Sequence, residues 1–131
     1  MKLTLRDNLP FVAVQVAFGG KTVEIAQVLV DTGSATTIFA VDALAHIGVV
    51  PLPDDDIHVI QGVGGSEVVF GRRLDFVQVD THKAINFTVE VGGMDYGFDI
   101  NGILGMDFLL QTEALLDMKQ LELRFGSDDS F

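Results

Sequence analysis

The sequence contains no cysteine, which excludes a disulfide framework, a thiolate nucleophile, a zinc–thiolate site and an iron–sulfur cluster. Any hydrolytic chemistry therefore falls to oxygen and imidazole groups. Cationic side chains are scarce: Lys and Arg number 8 against 19 Asp and Glu in 131 residues, a formal net charge of −11 at pH 7. Such a field repels phosphate backbones and anionic lipid heads, so neither nucleic acid nor a membrane is an expected partner. No uncharged apolar run approaches the roughly 20 residues that span a bilayer. Met1-Lys2-Leu3-Thr4-Leu5-Arg6-Asp7 carries positive charge but no apolar stretch behind it to act as a secretory signal, and a cytoplasmic location is the simplest expectation. Metal-ligand spacing is missing as well. His46, His58 and His82 form no ligand pattern, and Asp54-Asp55-Asp56 lacks the alternating ligands and closing glutamate of a calcium loop. Gly62-Val63-Gly64-Gly65 leads into Glu67 and the strand-like Val68-Val69-Phe70 rather than a helix N-terminus, so it is not a phosphate loop. Neither a metal nor an organic cofactor is expected.

What is present is apolar and periodic. Apolar residues make up 48% of the chain and the mean hydropathy is +0.39, enough for one domain over residues 1–131, with its core at about 10–125 and a polar tail at 126–131. The dominant period is two. Val12, Val14, Val16 and Phe18 alternate with smaller or polar residues up to Gly19-Gly20, and a second run from Val23 to Val30 follows, which predicts a hairpin whose second strand ends at Asp31. Ile57–Ile60 and Glu67–Phe70 predict another hairpin around the glycine-rich tip Gly62 to Gly65. Further strands are predicted over Leu74–Val79 and Ile85–Val91, and a terminal hairpin over Ala114–Met118 and Leu121–Phe125. Asp42–Ile47, with Asp42 as N-cap and Gly48 beyond, and Met106–Gln111 read as two short helices. The expected class is all-β with one or two short helices.

Val28-Leu29-Val30-Asp31-Thr32-Gly33-Ser34 carries the chemistry. A buried apolar strand delivers a carboxylate into a tight turn, where backbone N–H groups can bond it and Gly33 lets the chain approach closely. Asp-Thr-Gly alone is a common turn. Its meaning comes from the ordered set: this motif, a glycine-tipped hairpin, then Ile103-Leu104-Gly105, where an apolar run ending in glycine echoes the first half.

That set resembles the retropepsin-like aspartic peptidases over about Phe11 to Phe125, and Ile103 to Leu109 looks more like the cellular and bacterial branch than the viral one. The resemblance implies a closed acid-protease barrel, with Asp31 as catalytic aspartate, Thr32 locking two active-site loops together and Gly33 shaping the loop. Ser34, Ile60, Gly62, Val63, Gly64, Gly65 and Ile103 would contact substrate, Gly62 to Gly65 as the flap tip, and Ile103-Leu104-Gly105 would also support the catalytic loop. The chain has one such motif, so the resemblance implies a homodimeric endopeptidase with one Asp31 from each protomer and a peptide or protein substrate. A catalytically silent peptide-binding or dimerisation module is the rival reading. Serine nucleophile chemistry is a distant third, because Ser34 lies outside any Gly-x-Ser-x-Gly elbow.

Overall fold

The computed structural model describes residues 1–62, 65–94 and 99–126, with side chains left undescribed at 60–62 and 65–68. Ten strands and two helices follow in order: β1 Thr4–Arg6, β2 Leu9–Phe18, β3 Lys21–Val30, β4 Ile38–Ala40, α1 Val41–Ala45, β5 Ile57–Gly62, β6 Gly65–Val79, β7 His82–Gly92, β8 Gly102–Leu104, α2 Met106–Gln111, β9 Leu115–Asp117 and β10 Glu122–Arg124. Eight strands form a sheet in the order β1-β2-β3-β8-β4-β7-β6-β5, and an added β2–β6 pairing closes six of them into a barrel. β9 and β10 form a separate pair. This is the expected all-β closed barrel with two short helices. Among the described residues no helix is long and apolar enough to cross a membrane.

Turn chemistry sets the hairpins. Asp7 and Asn8 both hold positive φ between β1 and β2, and Gly19 and Gly20 do so between β2 and β3, which matches the twist of two-residue hairpins. β1 was not expected from the sequence, although Asp7-Asn8 is the signal that marks it. Other boundaries differ from expectation as well. β6 runs unbroken through Gly71-Arg72-Arg73, because β7 pairs with it from Val69↔Gly92 to Val79↔His82. The glycine-rich hairpin pairs as far as Gly62↔Gly65, so these two glycines belong to the strands rather than to the tip. α1 starts at Val41 after Ala40 with no side-chain cap, which removes Asp42 from the N-cap and puts it in the first turn. Gly48, at φ 88°, ends that segment as expected, its N–H donating to Ala45 O at 3.1 Å. α2 has the predicted bounds, and the terminal hairpin is shorter than predicted, with Asp117 Oδ1 accepting from the Lys119 and Gln120 N–H groups in its turn.

The core is packed between the strands by alternating side chains and is rich in Val and Phe: Val14, Val16, Val28, Phe39, Leu104 and Phe108 are fully buried. Phe108 meets Phe87 and Phe125 edge-on, at centroid distances of 5.9 and 6.4 Å.

One irregularity positions the site. The β2–β3 register shifts between Val12↔Val28 and Val14↔Ile25, so Ala26 and Gln27 together oppose Ala13, and Gln27 takes φ 60°. This β-bulge resets the alternation of β3. Ile25, Val28 and Val30 all face the core, and Asp31 therefore falls on the outward side; with strict alternation from Ile25 it would point inward. Asn101 N donates to Gln27 O at 3.1 Å, Asn101 Nδ2 to Ala26 O at 2.9 Å, and Arg6 Nη1 to Gln27 Oε1 at 2.5 Å.

A second anchor lies below the β5–β6 hairpin. Asp55 accepts from Leu52 N at 2.6 Å and pairs with Arg72 Nη2 at 2.6 Å, tying the loop before β5 to β6. The Leu52 N–H bond, aided by the Arg72 guanidinium and opposed by partial burial, holds the Asp55 carboxyl below its ordinary range.

Two outcomes follow for stability. Gln27→Gly and Gln27→Val lose the same Arg6 contact, but the valine adds the steric cost of a left-handed backbone. In urea titrations Gln27→Val is expected to be less stable than Gln27→Gly by about 1–2 kcal/mol. Because the Asp55 pKa is lowered on folding, its stabilising contribution is present above the unfolded carboxylate value and is lost as pH falls through the folded one. Thermal melts from pH 6 down to about pH 3 should therefore show a shallower acid loss in Asp55→Asn than in wild type.

Candidate active site

β3 and β8 run parallel, with Val28↔Gly102, Leu29↔Ile103 and Val30↔Leu104 in register. The two segments that echo each other in sequence are thus side by side in space. Asp31 leaves the end of β3 with its N–H donating to Leu104 O at 3.0 Å. Its chain then turns tightly: Ser34 N donates to Asp31 O at 3.2 Å, and Gly33 N donates to Asp31 Oδ1 at 2.8 Å. That bond orients the carboxylate. A Cβ at Gly33 would stand 3.1 Å from the same oxygen, a tight contact that a side chain could occupy only if the carboxylate moved by a few tenths of an ångström. Asp31 is half-buried, and Thr32 and Gly33 are exposed. Among the described residues no side-chain hydrogen bond joins the exposed Thr32 to the rest of the loop.

The loop is held from behind by α2. Ser34 O accepts from Met106 N at 2.8 Å and Ala35 O from Asp107 N at 3.2 Å. Thr37, the one polar or charged residue that is buried among those described, makes the centre of this joint. Its hydroxyl accepts from Gly105 N at 3.0 Å and donates to Asp107 Oδ1 at 2.7 Å, and its own N–H donates to Asp107 Oδ2 at 3.1 Å. Asp107 Oδ1 also accepts from Phe108 N at 2.7 Å, satisfying a donor that the start of a helix leaves unpaired. Gly105 is obligatory in this packing: a Cβ there would lie 2.5 Å from the Thr36 carbonyl oxygen.

The predicted site residues are distributed as follows. Asp31, Thr32, Gly33 and Ser34 share the loop, though the Ser34 hydroxyl donates to Thr36 O at 2.8 Å and so serves the turn itself. Ile103 is half-buried and, by its pairing with Leu29, projects to the same side of the sheet as Asp31. Ile60, Gly62 and Gly65 are described only through their pairing in the β5–β6 hairpin, where Ile60 faces Glu67 and Gly62 faces Gly65. Val63 and Gly64 lie outside the described residues. Thr37 and Asp107 were not singled out from sequence. The signal available was a threonine entering a short apolar strand and an aspartate in the first turn of a predicted helix, each common in proteins without a site.

A cleft of about 520 Å³ opens elsewhere, at the start of β3, lined by Glu24, Asp42, His46, Asp99 and Asn101 among others. It does not include the Asp31 loop, and among the described residues no group of three acidic, histidine or cysteine side chains could hold a metal ion.

The Thr37 joint has a measurable consequence. Thr37→Val keeps the volume but strands the buried Gly105 N–H and leaves Asp107 Oδ1 with the Phe108 N–H alone, so unfolding should show a loss of about 1–3 kcal/mol. Thr36→Val, at an exposed neighbour, should stay within about 0.5 kcal/mol of wild type. Equal effects from the two would remove the joint's importance.

The family model described as aspartyl protease matches residues 14–108, a span that contains the Asp31 loop, the β5–β6 hairpin and the Gly105–Asp107 joint. No curated protein matches the chain.

Proposed function

This chain belongs to the retropepsin-like aspartyl proteases, and from that premise we propose that it is an aspartic endopeptidase in which two Asp31 carboxylates, one from each protomer of a homodimer, activate a water molecule between them. The single observation that carries the reading is the Asp31 carboxylate itself. It is delivered outward by the β3 bulge, oriented by the Gly33 N–H at 2.8 Å, and left half-buried next to the exposed Thr32.

One such carboxylate is half of the required chemistry. Peptide hydrolysis needs a base to draw a proton from water and an acid to give one to the carbonyl oxygen. Two identical carboxyl groups can divide those roles if they share a proton, and the aspartic-protease dyad is the established case. At about 3 Å and an effective dielectric of ~20, two unit charges repel by roughly 5 kcal/mol. That corresponds to about 4 pKa units, so the pair retains one proton over a broad range of pH. No second Asp-Thr-Gly or Asp-Ser-Gly occurs in the sequence, which supports recruiting the second carboxylate from a second copy across a two-fold axis. Thr32, exposed at the same place, would join the two loops at that axis.

The substrate would lie extended between the Asp31 loops and the β5–β6 hairpin, which acts as the flap and bonds the peptide main chain through backbone groups near its tip. Ile103 would line a pocket beside the catalytic loop. No metal or organic cofactor enters this scheme.

A peptide-library digest beside an Asp31→Asn control tests the reading. Wild type should cleave, with a loss of at least about 10³-fold in kcat/KM for Asp31→Asn while dimer mass persists in sedimentation. Turnover retained by Asp31→Asn, or cleavage by a protein that stays monomeric at assay concentration, would falsify the mechanism. An intact dimer that binds peptides without cutting them between pH 3 and pH 8, a range of about five units across carboxylate titration, would instead identify a binding module.

A further inference from the structure

The lateral register of the sheet aligns one row of side chains across five strands. Leu29 of β3 pairs with Ile103 of β8, Ile103 with Ile38 of β4, Ile38 with Glu90 of β7, and Glu90 with Gly71 of β6. Register partners project to the same side of a sheet, and residues two apart on a strand do so too. The row therefore lies on the side to which Asp31 projects, two residues beyond Leu29. The other side carries the core residues Val30, Leu104, Phe39 and Val91.

Along this row Leu29, Ile103 and Ile38 are apolar, and then comes a carboxylate. Glu90 is held in place by its backbone N–H, which donates to Thr37 O at 2.9 Å, so it hangs on the same joint that supports the catalytic loop. Its side chain is 20% exposed. Oε2 is shielded from solvent and receives no aligned hydrogen bond. The nearest positive partner is conditional: His58 of β5 places Nε2 3.0 Å from Oε2. His58 pairs with Val69 in the β5–β6 hairpin, and it reaches Glu90 over Gly71, which has no side chain to obstruct it. Among the described residues no Lys or Arg pairs with Glu90. Arg72, on the neighbouring strand, is committed to Asp55.

A carboxylate enclosed this far without a permanent cation is costly unless something completes it. An imidazole offers one N–H and carries charge only when protonated, whereas a guanidinium or ammonium is permanently charged and brings several donors. We propose that Glu90 is a specificity-determining residue that binds a lysine or arginine side chain of an extended peptide, in a subsite set over the buried Ile38, bordered by Ile103 and covered by His58. The proposal rests on the function above for its account of why a peptide lies on this side of the sheet. Glu90 stands three interstrand spacings from Leu29, about 14 Å at ~4.8 Å each. At roughly 3.3 Å per extended residue plus the length of a long basic side chain, the ligand residue concerned lies about two positions from the scissile bond. The chain's net charge of −11 adds long-range attraction for such ligands.

The test uses binding, so that it does not depend on turnover. Fluorescent twelve-residue peptides with a central Phe-Leu and one arginine, norleucine or glutamate moved through the remaining positions are titrated into full-length Asp31→Asn protein at low salt. Arginine should be preferred to norleucine by at least about tenfold at one position. That ratio should fall toward one in the Asp31→Asn, Glu90→Gln double variant, and Asp31→Asn, Glu90→Arg should turn the preference toward glutamate at the same position. Because each ratio is taken within one variant, a partial loss of folded protein cancels. Equal binding of arginine and norleucine everywhere, a preference that survives Glu90→Gln, or no binding of any peptide overturns the proposal. Failure of wild type to cleave the same peptides while the Glu90-dependent preference persists would count against the peptidase reading alone.

Discussion

The Thr37 hydroxyl takes the Gly105 N–H and gives its proton to Asp107, and those partners lie 68 and 70 residues away along the chain. The hydrogen bonds inside the loop from Asp31 to Thr36 fix its shape, and this joint fixes its place against the barrel. Met106 and Asp107 bond the carbonyls of Ser34 and Ala35, so the two halves of the barrel meet as one rigid piece around a buried polar centre. A buried hydrogen-bond network with every member satisfied specifies a single arrangement. Preorganised placement of reacting groups is what a hydrolase needs from such a piece.

The second constraint concerns which way a side chain faces. β3 must bury Ile25, Val28 and Val30 and yet present Asp31 to the outside, two demands that a regular two-residue alternation does not meet. The bulge at Ala26-Gln27 resolves the conflict, and Asn101, next to β8, bonds it on both carbonyls. The same parity carries over to β7, where Val89 and Val91 enter the core and Glu90 is turned outward. The Asp31 and Glu90 carboxylates thus share one side of the sheet for the same geometric reason.

Much of this was legible in the sequence where local rules act alone. Val12 to Phe18, the Gly19-Gly20 turn and the Ile57 to Phe70 hairpin were readable from alternation and turn residues, and Met106–Gln111 from its helix formers. Asp31-Thr32-Gly33 with Ile103-Leu104-Gly105 pointed to the family that the match over residues 14–108 supports. What escaped was non-local. β4 has three residues, too few for a period, and exists because β7 and β8 flank it. β6 hides its continuity behind Gly71-Arg72-Arg73, which locally resembles a break, since only pairing with β7 carries the strand through. Thr37 and Asp107 are ordinary residues until the fold makes them neighbours, and the outward turn of Glu90 needs a register that no single strand reveals.

The parallel contact between β3 and β8 has a bearing on the order of events during synthesis. A ribosome delivers the Asp31 segment long before the Gly102–Leu104 strand that must lie beside it, and pairings between distant stretches of chain form late. The nascent polypeptide therefore carries its acidic motif without the backing that aims it. The finished geometry of the Asp31 loop therefore waits for residues 102–107 to be made.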